Sequence, residues 1–145
     1  SGLYGCVRPF HAVEPYRLEM GAKLAVDDAR DLYAFWGDKL ARAIAPAGSN
    51  TTIVNLASVE YAKAVLPHLA GDATAVTCLF GEGIRNGKPI QRSTASKKAR
   101  GSMVRWMAEN KLEDASELTA FNIGYRHIPE LSDKNTLVFM NAQAQ

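Results

Sequence analysis

The chain has 145 residues, 47% of them hydrophobic and 22% charged, and its seventeen Lys and Arg against fifteen Asp and Glu leave a formal net charge of +2. This size and composition exclude a disordered chain and suit one domain with a sizeable core. The charge is too mild to mark a nucleic-acid binder by itself, so electrostatics must be argued from where the cations cluster.

The opening SGLYGCVRPF, with Gly2, Gly5 and a closing Pro9, reads as a short strand leaving a turn. It starts abruptly, without methionine or leader, as expected of a fragment or of a chain that has lost residues upstream. HAVEPYRLEMGAKL, bounded by Pro9, Pro15 and Gly21, should be extended or irregular, with Arg17 and Glu19 on one face and Tyr16, Leu18 and Met20 on the other. From Asp31 to Ala45 an amphipathic helix is expected, because Leu32, Phe35, Trp36, Leu40, Ala43 and Ile44 recur at helical spacing and Gly48 supplies a stop.

TTIVNLA is a β-branched run, and Ser58 suits the N-cap of a helix over SVEYAKAVLPHL. Asn55 to Ser58 then form a strand-to-helix junction, a favourable place for site residues. ATAVTCLF and KPIQRST bracket GEGIRNG, where Asn86-Gly87 signals a β-hairpin that should feed directly into a helix over residues 96 to 111. Asp114 and Glu117 have capping-box spacing for a short helix to about Ala120, and residues 124 to 142 alternate like two strands joined near Ser132 to Asn135. The order is that of an α+β fold, a mixed or antiparallel sheet with helices packed on it, and without repeat or linker residues 1–145 read as a single domain. No stretch approaches the about 18 apolar residues of a membrane span, so no membrane partner is expected. Cys6 and Cys78 lack CxxC spacing and sit among apolar neighbours, as expected of inert buried thiols in a reducing compartment.

The helix over 96 to 111 breaks local rules. Lys97, Lys98 and Arg100 would occupy its first turn, each opposing the helix dipole by about 0.3–1 kcal/mol, and the interior Gly101 costs about 1 kcal/mol more. At helical spacing Ala99, Met103, Trp106, Met107 and Asn110 share one face, while Lys98, Ser102, Arg105 and Glu109 share another. Cations beside free helix N–H groups make an anion site; the competing reading is a solvated basic face with an Arg105–Glu109 pair. In PYRLEMG, Arg17 either reaches that anion site or forms a surface pair with Glu19. Asn55 and Ser58 have ordinary turn and cap chemistry as their alternative, and Trp36 and Trp106 suit a core better than a stacking platform. His11, His68 and His127 are scattered, and no HExxH, GxSxG or Walker pattern occurs. No metal, no cofactor and no catalytic residue is expected.

SGLYGCVRP, PYRLEMG, LYAFWGDKL, VNLASVEY, KKARGSMVRWMAENKL and ELTAFNIGY occur here in this order. Together they resemble the YaaA family of bacterial peroxide-stress proteins, from Ser1 to about Phe139. The resemblance implies the C-terminal portion of a longer YaaA-type protein, a YaaA-like fold with a basic cleft, and a cytoplasmic role in the response to hydrogen peroxide, with limited iron, less oxidative DNA damage and DNA binding. The helix-hairpin-helix-like segment of the family would lie upstream. Matching motif positions are Tyr16, Arg17, Glu19, Trp36, Asp38, Asn55, Ser58, Lys97, Lys98, Arg100, Gly101 and Arg105.

The expectation is therefore a DNA-binding stress-response protein in which Arg17, Lys97, Lys98, Arg100 and Arg105 contact backbone phosphates and Tyr16, Glu19, Asp38, Asn55 and Ser58 line the cleft. Distorted or single-stranded DNA is the expected partner class. The alternative is an enzyme or binder of a small phosphorylated or carboxylated ligand in the same basic pocket, with Arg17 and Lys98 as anchors and Glu19 or Asp38 as acid or base.

Overall fold

The computed structural model describes residues 2–143. The chain divides into two compact units, Ser1–Thr51 with Ala57–Thr74, and Thr52–Leu56 with Ala75–Gln145.

In the first unit the expected opening strand is absent among the described residues. Residues 2–10 form turns, because Gly5 takes φ +64° beneath the indole of Trp36, where a Cβ would come within 2.7 Å of the ring. Trp36 Nε1 donates to the Gly2 carbonyl at 3.1 Å, which fixes those turns to the helical part of the unit. Residues 11–19 are irregular, in keeping with Pro15 and the preceding Pro9.

The helix expected over Asp31 to Ala45 is split into α1 (Leu32–Trp36) and α2 (Lys39–Ile44). Gly37 causes the break: it takes φ +49° and closes α1, while the Asp31 carboxylate caps the start by accepting from Ala34 N at 2.8 Å. Leu32 and Leu40 still point inward and pack with Met20 and Ala64. After Ser58, α3 (Val59–Ala62) lasts one turn, and the chain tightens into a 3-10 turn at Leu66–His68 because Pro67 has no N–H for an α-helix. Glu60 ties α3 to the irregular segment, its carboxylate accepting from Gly21 N at 3.0 Å, and to α1, its carbonyl accepting from Tyr33 OH at 3.1 Å.

The second unit holds a four-stranded mixed sheet of β1 (Thr52–Asn55), β2 (Thr74–Gly81), β5 (Tyr125–His127) and β6 (Thr136–Asn141), in the order β1-β2-β6-β5. β2 and β6 run parallel with Phe80 opposite Phe139, and β5 and β6 run antiparallel with His127 opposite Phe139. This is the α+β architecture expected, with a mixed sheet. β3 (Ile84–Arg85) and β4 (Lys88–Pro89) form a separate two-stranded hairpin around Asn86-Gly87, both with positive φ (50° and 72°), as a type I′ turn demands. β2 thus joins the main sheet instead of the hairpin.

The hairpin leads into α4 (Ser93–Glu109), and a capping box at Asp114 and Glu117 opens a 3-10 helix at Ala115–Ala120. α4 buries Ala99 and Met103 and lays Trp106 and Met107 on the same core, as its apolar spacing predicts. At the centre Phe80 is fully buried, stacked on Phe139 at 5.4 Å and edge-on to Phe121 and Tyr125 at 6.1 and 5.3 Å. Cys78 is buried in this core and its thiol is pushed up to about 12 by desolvation, whereas Cys6, expected to be buried, is exposed.

Where β2 ends, the Glu82 carboxylate collects the neighbouring strands: Tyr125 OH donates to Oε1, and Asn141 Nδ2 donates to Oε2 at 2.8 Å. Those two bonds, with the nearby charge of Arg92, hold the Glu82 carboxyl below its usual range despite some burial. Burial, followed by the bond to Glu82, pushes Tyr125 up to about 12. Glu82 and Gly83 also extend the hairpin ladder, with Glu82 N donating to Ile90 O at 2.9 Å and Ile90 N to Gly83 O at 2.8 Å.

Phe80→Ala is expected to destabilise the chain by about 3–5 kcal/mol in urea denaturation, the cost of emptying a fully packed aromatic site. The sign of the pH dependence follows from the clamp. Glu82, depressed when folded, contributes stability above the ordinary carboxylate pKa of about 4.3 that is lost as pH falls through the folded value. Tyr125, raised when folded, contributes below about pH 10 and loses that contribution as pH rises towards about 12. Tyr125→Phe should lower stability near neutral pH by about 1–2 kcal/mol and flatten both limbs when urea midpoints are measured across pH.

Candidate functional site

The cations of α4 occupy a different part of the helix from that expected. The helix opens at Ser93 with Arg92 as N-cap, so its first turn is Ser-Thr-Ala, and Lys97, Lys98 and Arg100 come after it. The charge opposition to the dipole that the sequence implied is therefore largely absent, because that effect fades beyond the first turn. Ser96 explains the earlier start: it is buried, and its hydroxyl donates to the Phe80 carbonyl at 3.4 Å, fixing the beginning of the helix against the core strand.

What remains is a basic outer face. Lys97, Lys98, Gly101, Val104 and Arg105 are all exposed. Arg105 pairs with Glu109 at 2.7 Å, one turn on, as its spacing predicts, whereas among the described residues Lys97 and Lys98 have no ion pair or side-chain hydrogen bond. Arg100 is half-buried; its Nη2 donates to Gln91 Oε1 at 3.4 Å, and its Nε is shielded from solvent with no partner among the described residues. Gly101 has open space around it, since an added Cβ would meet no atom within 4 Å.

The hairpin ahead of α4 continues the charge. Arg85 lies opposite Lys88 in the β3–β4 register, and Arg92 is the helix N-cap. Residues 84–111 thus carry eight Lys and Arg (85, 88, 92, 97, 98, 100, 105 and 111) and one carboxylate, Glu109, in a chain whose full tally is seventeen against fifteen. The sequence motifs drew attention to four of these cations, and a running charge count finds the other four. Beside the C-terminal half of α4 lies a hollow of about 450 Å³ lined by Val54, Val104, Met107, Ala108, Lys111 and Leu118.

The other expected site residues are distributed differently. Arg17, Tyr16, Glu19, Asp38 and Ser58 belong to the first unit, Asn55 and the α4 cations to the second. Arg17 is exposed and, among the described residues, makes no ion pair with Glu19; Tyr16 packs edge-on against Tyr4 at 5.4 Å. Asp38 pairs with Arg42 on its own helix at 2.8 Å. Ser58 is the N-cap residue of α3 by position, without a side-chain cap bond, and Asn55 is buried with its Nδ2 donating to Thr77 Oγ1 at 3.1 Å, a tie between β1 and β2. Among the described residues no group of three or more His, Cys, Asp or Glu could hold a metal ion, and no helix is long and apolar enough to cross a membrane.

Fold and surface together define an α+β protein with a concentrated cationic helix face. The family model of the peroxide stress protein YaaA matches residues 1–131. The chain is 45% identical over 146 residues to a UPF0246 protein of Desulfitobacterium hafniense, covering 100% of this chain and 57% of that protein. It is 45% identical over 141 residues to a UPF0246 protein of Pediococcus pentosaceus (97% and 55%) and 46% identical over 127 residues to one of Ruegeria (86% and 50%). The chain belongs to the YaaA family of peroxide stress proteins and spans a little over half the length of the curated relatives it matches.

Because nothing meets a Cβ at Gly101 and the position is mid-helix, Gly101→Ala is expected to raise the stability of the isolated chain by about 0.5–1 kcal/mol, read as a higher thermal midpoint.

Proposed function

We propose that this chain acts in a bacterial cytoplasmic response to peroxide by binding DNA through its phosphate backbone, with the hairpin and outer face of α4 as the contact surface. The observation that carries this reading is the concentration of eight cations and one carboxylate in residues 84–111, within a chain of nearly balanced charge. Lys97 and Lys98 are uncommitted among the described residues and stand on a rigid helix, so they meet a polyanion without first giving up internal partners. Such contacts give affinity and position without reading bases. Membership in a peroxide stress family supports the setting, in which DNA is a principal target of oxidative damage.

A second reading draws on Arg100. A guanidinium with a shielded, unpartnered Nε suits a small phosphorylated or carboxylated ligand, which would complete its hydrogen bonds.

Fluorescence anisotropy with labelled duplex and bubble-containing DNA, over a series of salt concentrations, tests the main reading. Binding should weaken steeply with salt, and Lys97→Ala/Lys98→Ala should reduce the log–log slope by about 0.9 per lost phosphate contact. Binding that is insensitive to salt, or equal in the variant and the parent, would overturn it. Inorganic phosphate binding that disappears in Arg100→Ala, with no DNA binding at any salt, would favour the second reading.

A further inference from the structure

We infer that Gly101 is a close-approach point, where the sugar–phosphate backbone of a nucleic acid comes against the main chain of α4; this rests on the reading of α4 as a DNA-contacting surface. Packing within the fold does not account for Gly101. A glycine in the middle of a 17-residue helix weakens that helix, and several glycines outside α4 have evident reasons. Gly5 lies under Trp36 and Gly81 between Met140 and Pro89, where a Cβ would come within 2.6 Å of the Met140 sulfur, while Gly87 supplies the positive φ of the hairpin turn. Gly101 has none of these: its φ is outside the left-handed region, and a Cβ there meets nothing within 4 Å.

The surroundings indicate what the open space suits. On a helix the neighbours of residue 101 are those three and four positions away, which are Lys97, Lys98, Val104 and Arg105. All four are exposed, and three are cations. The glycine is therefore the flat floor of a basic ring that extends about 10 Å along the axis from Lys98 to Arg105. A phosphodiester strand crossing that floor meets Lys97 and Lys98 on one side and Arg105, which is paired with Glu109, on the other, and its approach is limited by main chain instead of a side chain. An acidic protein surface matches the charge as well, but a narrow, continuous polyanion fits a floor one residue wide better than a broad surface does. A strand that close also shortens each Lys and Arg contact, which strengthens the attraction.

The test uses the full chain and a fluorescein-labelled DNA duplex. Gly101→Ala and Gly101→Gln leave every cation in place. The expected result is a thermal midpoint equal to or above the parent's for Gly101→Ala, with duplex affinity weakened by about threefold, and by about tenfold or more for Gly101→Gln, at a nearly unchanged salt slope. Unchanged affinity in both variants, alongside a parent whose binding falls in Lys97→Ala/Lys98→Ala, would overturn the close approach while leaving DNA binding by α4 intact. A parent that binds no duplex, or whose binding ignores the lysine substitutions, would overturn the DNA reading and this inference with it. A lower thermal midpoint in Gly101→Ala would also overturn the inference, because it would place the reason for the glycine inside the fold.

Discussion

The second unit depends on the end of β2. Phe80 fills the middle of the aromatic core, Gly81 passes between Met140 and Pro89 where a side chain has no room, and the carboxylate of Glu82 accepts from Tyr125 on β5 and Asn141 on β6. Three consecutive residues thus set the packing, the close approach and the polar closure of the sheet. The hairpin leaves from the same place through the Glu82–Ile90 and Gly83–Ile90 bonds, and α4 follows it after three residues. The position of the basic helix within this unit is a consequence of how β2 terminates. A charged carboxylate suits this point because each oxygen receives a donor, so its desolvation is offset by charge-assisted hydrogen bonds.

Much of this architecture is legible in the sequence wherever a local interaction decides the structure. Asn86-Gly87 announces a type I′ hairpin because few other pairs tolerate two positive φ values, and Asp114 with Glu117 announces a capping box by spacing alone. The buried row of α4 is equally readable from Ala99, Met103 and Trp106. The expectations that failed are those that tertiary contacts settle. Ser93 and Thr94 look like the end of a strand until Ser96 is seen bonded to Phe80, and the opening residues look like a strand until Trp36 is seen over Gly5. Gly37 was visible in the helix expected over Asp31 to Ala45, but its left-handed conformation was not.

The basic surface was legible in part for the same reason. Charge on one helix can be counted, so Lys97, Lys98, Arg100 and Arg105 stand out, and extending the count to the hairpin adds Arg85, Lys88 and Arg92. Commitment of a side chain to a partner cannot be counted in that way. Asp38 is bound to Arg42 and Asn55 to Thr77, assignments that depend on the folded backbone. The bulk charge of +2 conceals the segregation: with one strongly basic segment, the remainder of the chain is net acidic.

The buried thiol of Cys78 has a consequence for a member of a peroxide stress family. The thiolate is the form of sulfur that attacks hydrogen peroxide, and a thiol pushed up to about 12 stays protonated at neutral pH. Burial of Cys78 among Phe80, Phe139 and Leu118 removes access as well as charge. The core therefore carries its cysteine in an oxidant-tolerant form, and the sheet can keep its packing where peroxide is present.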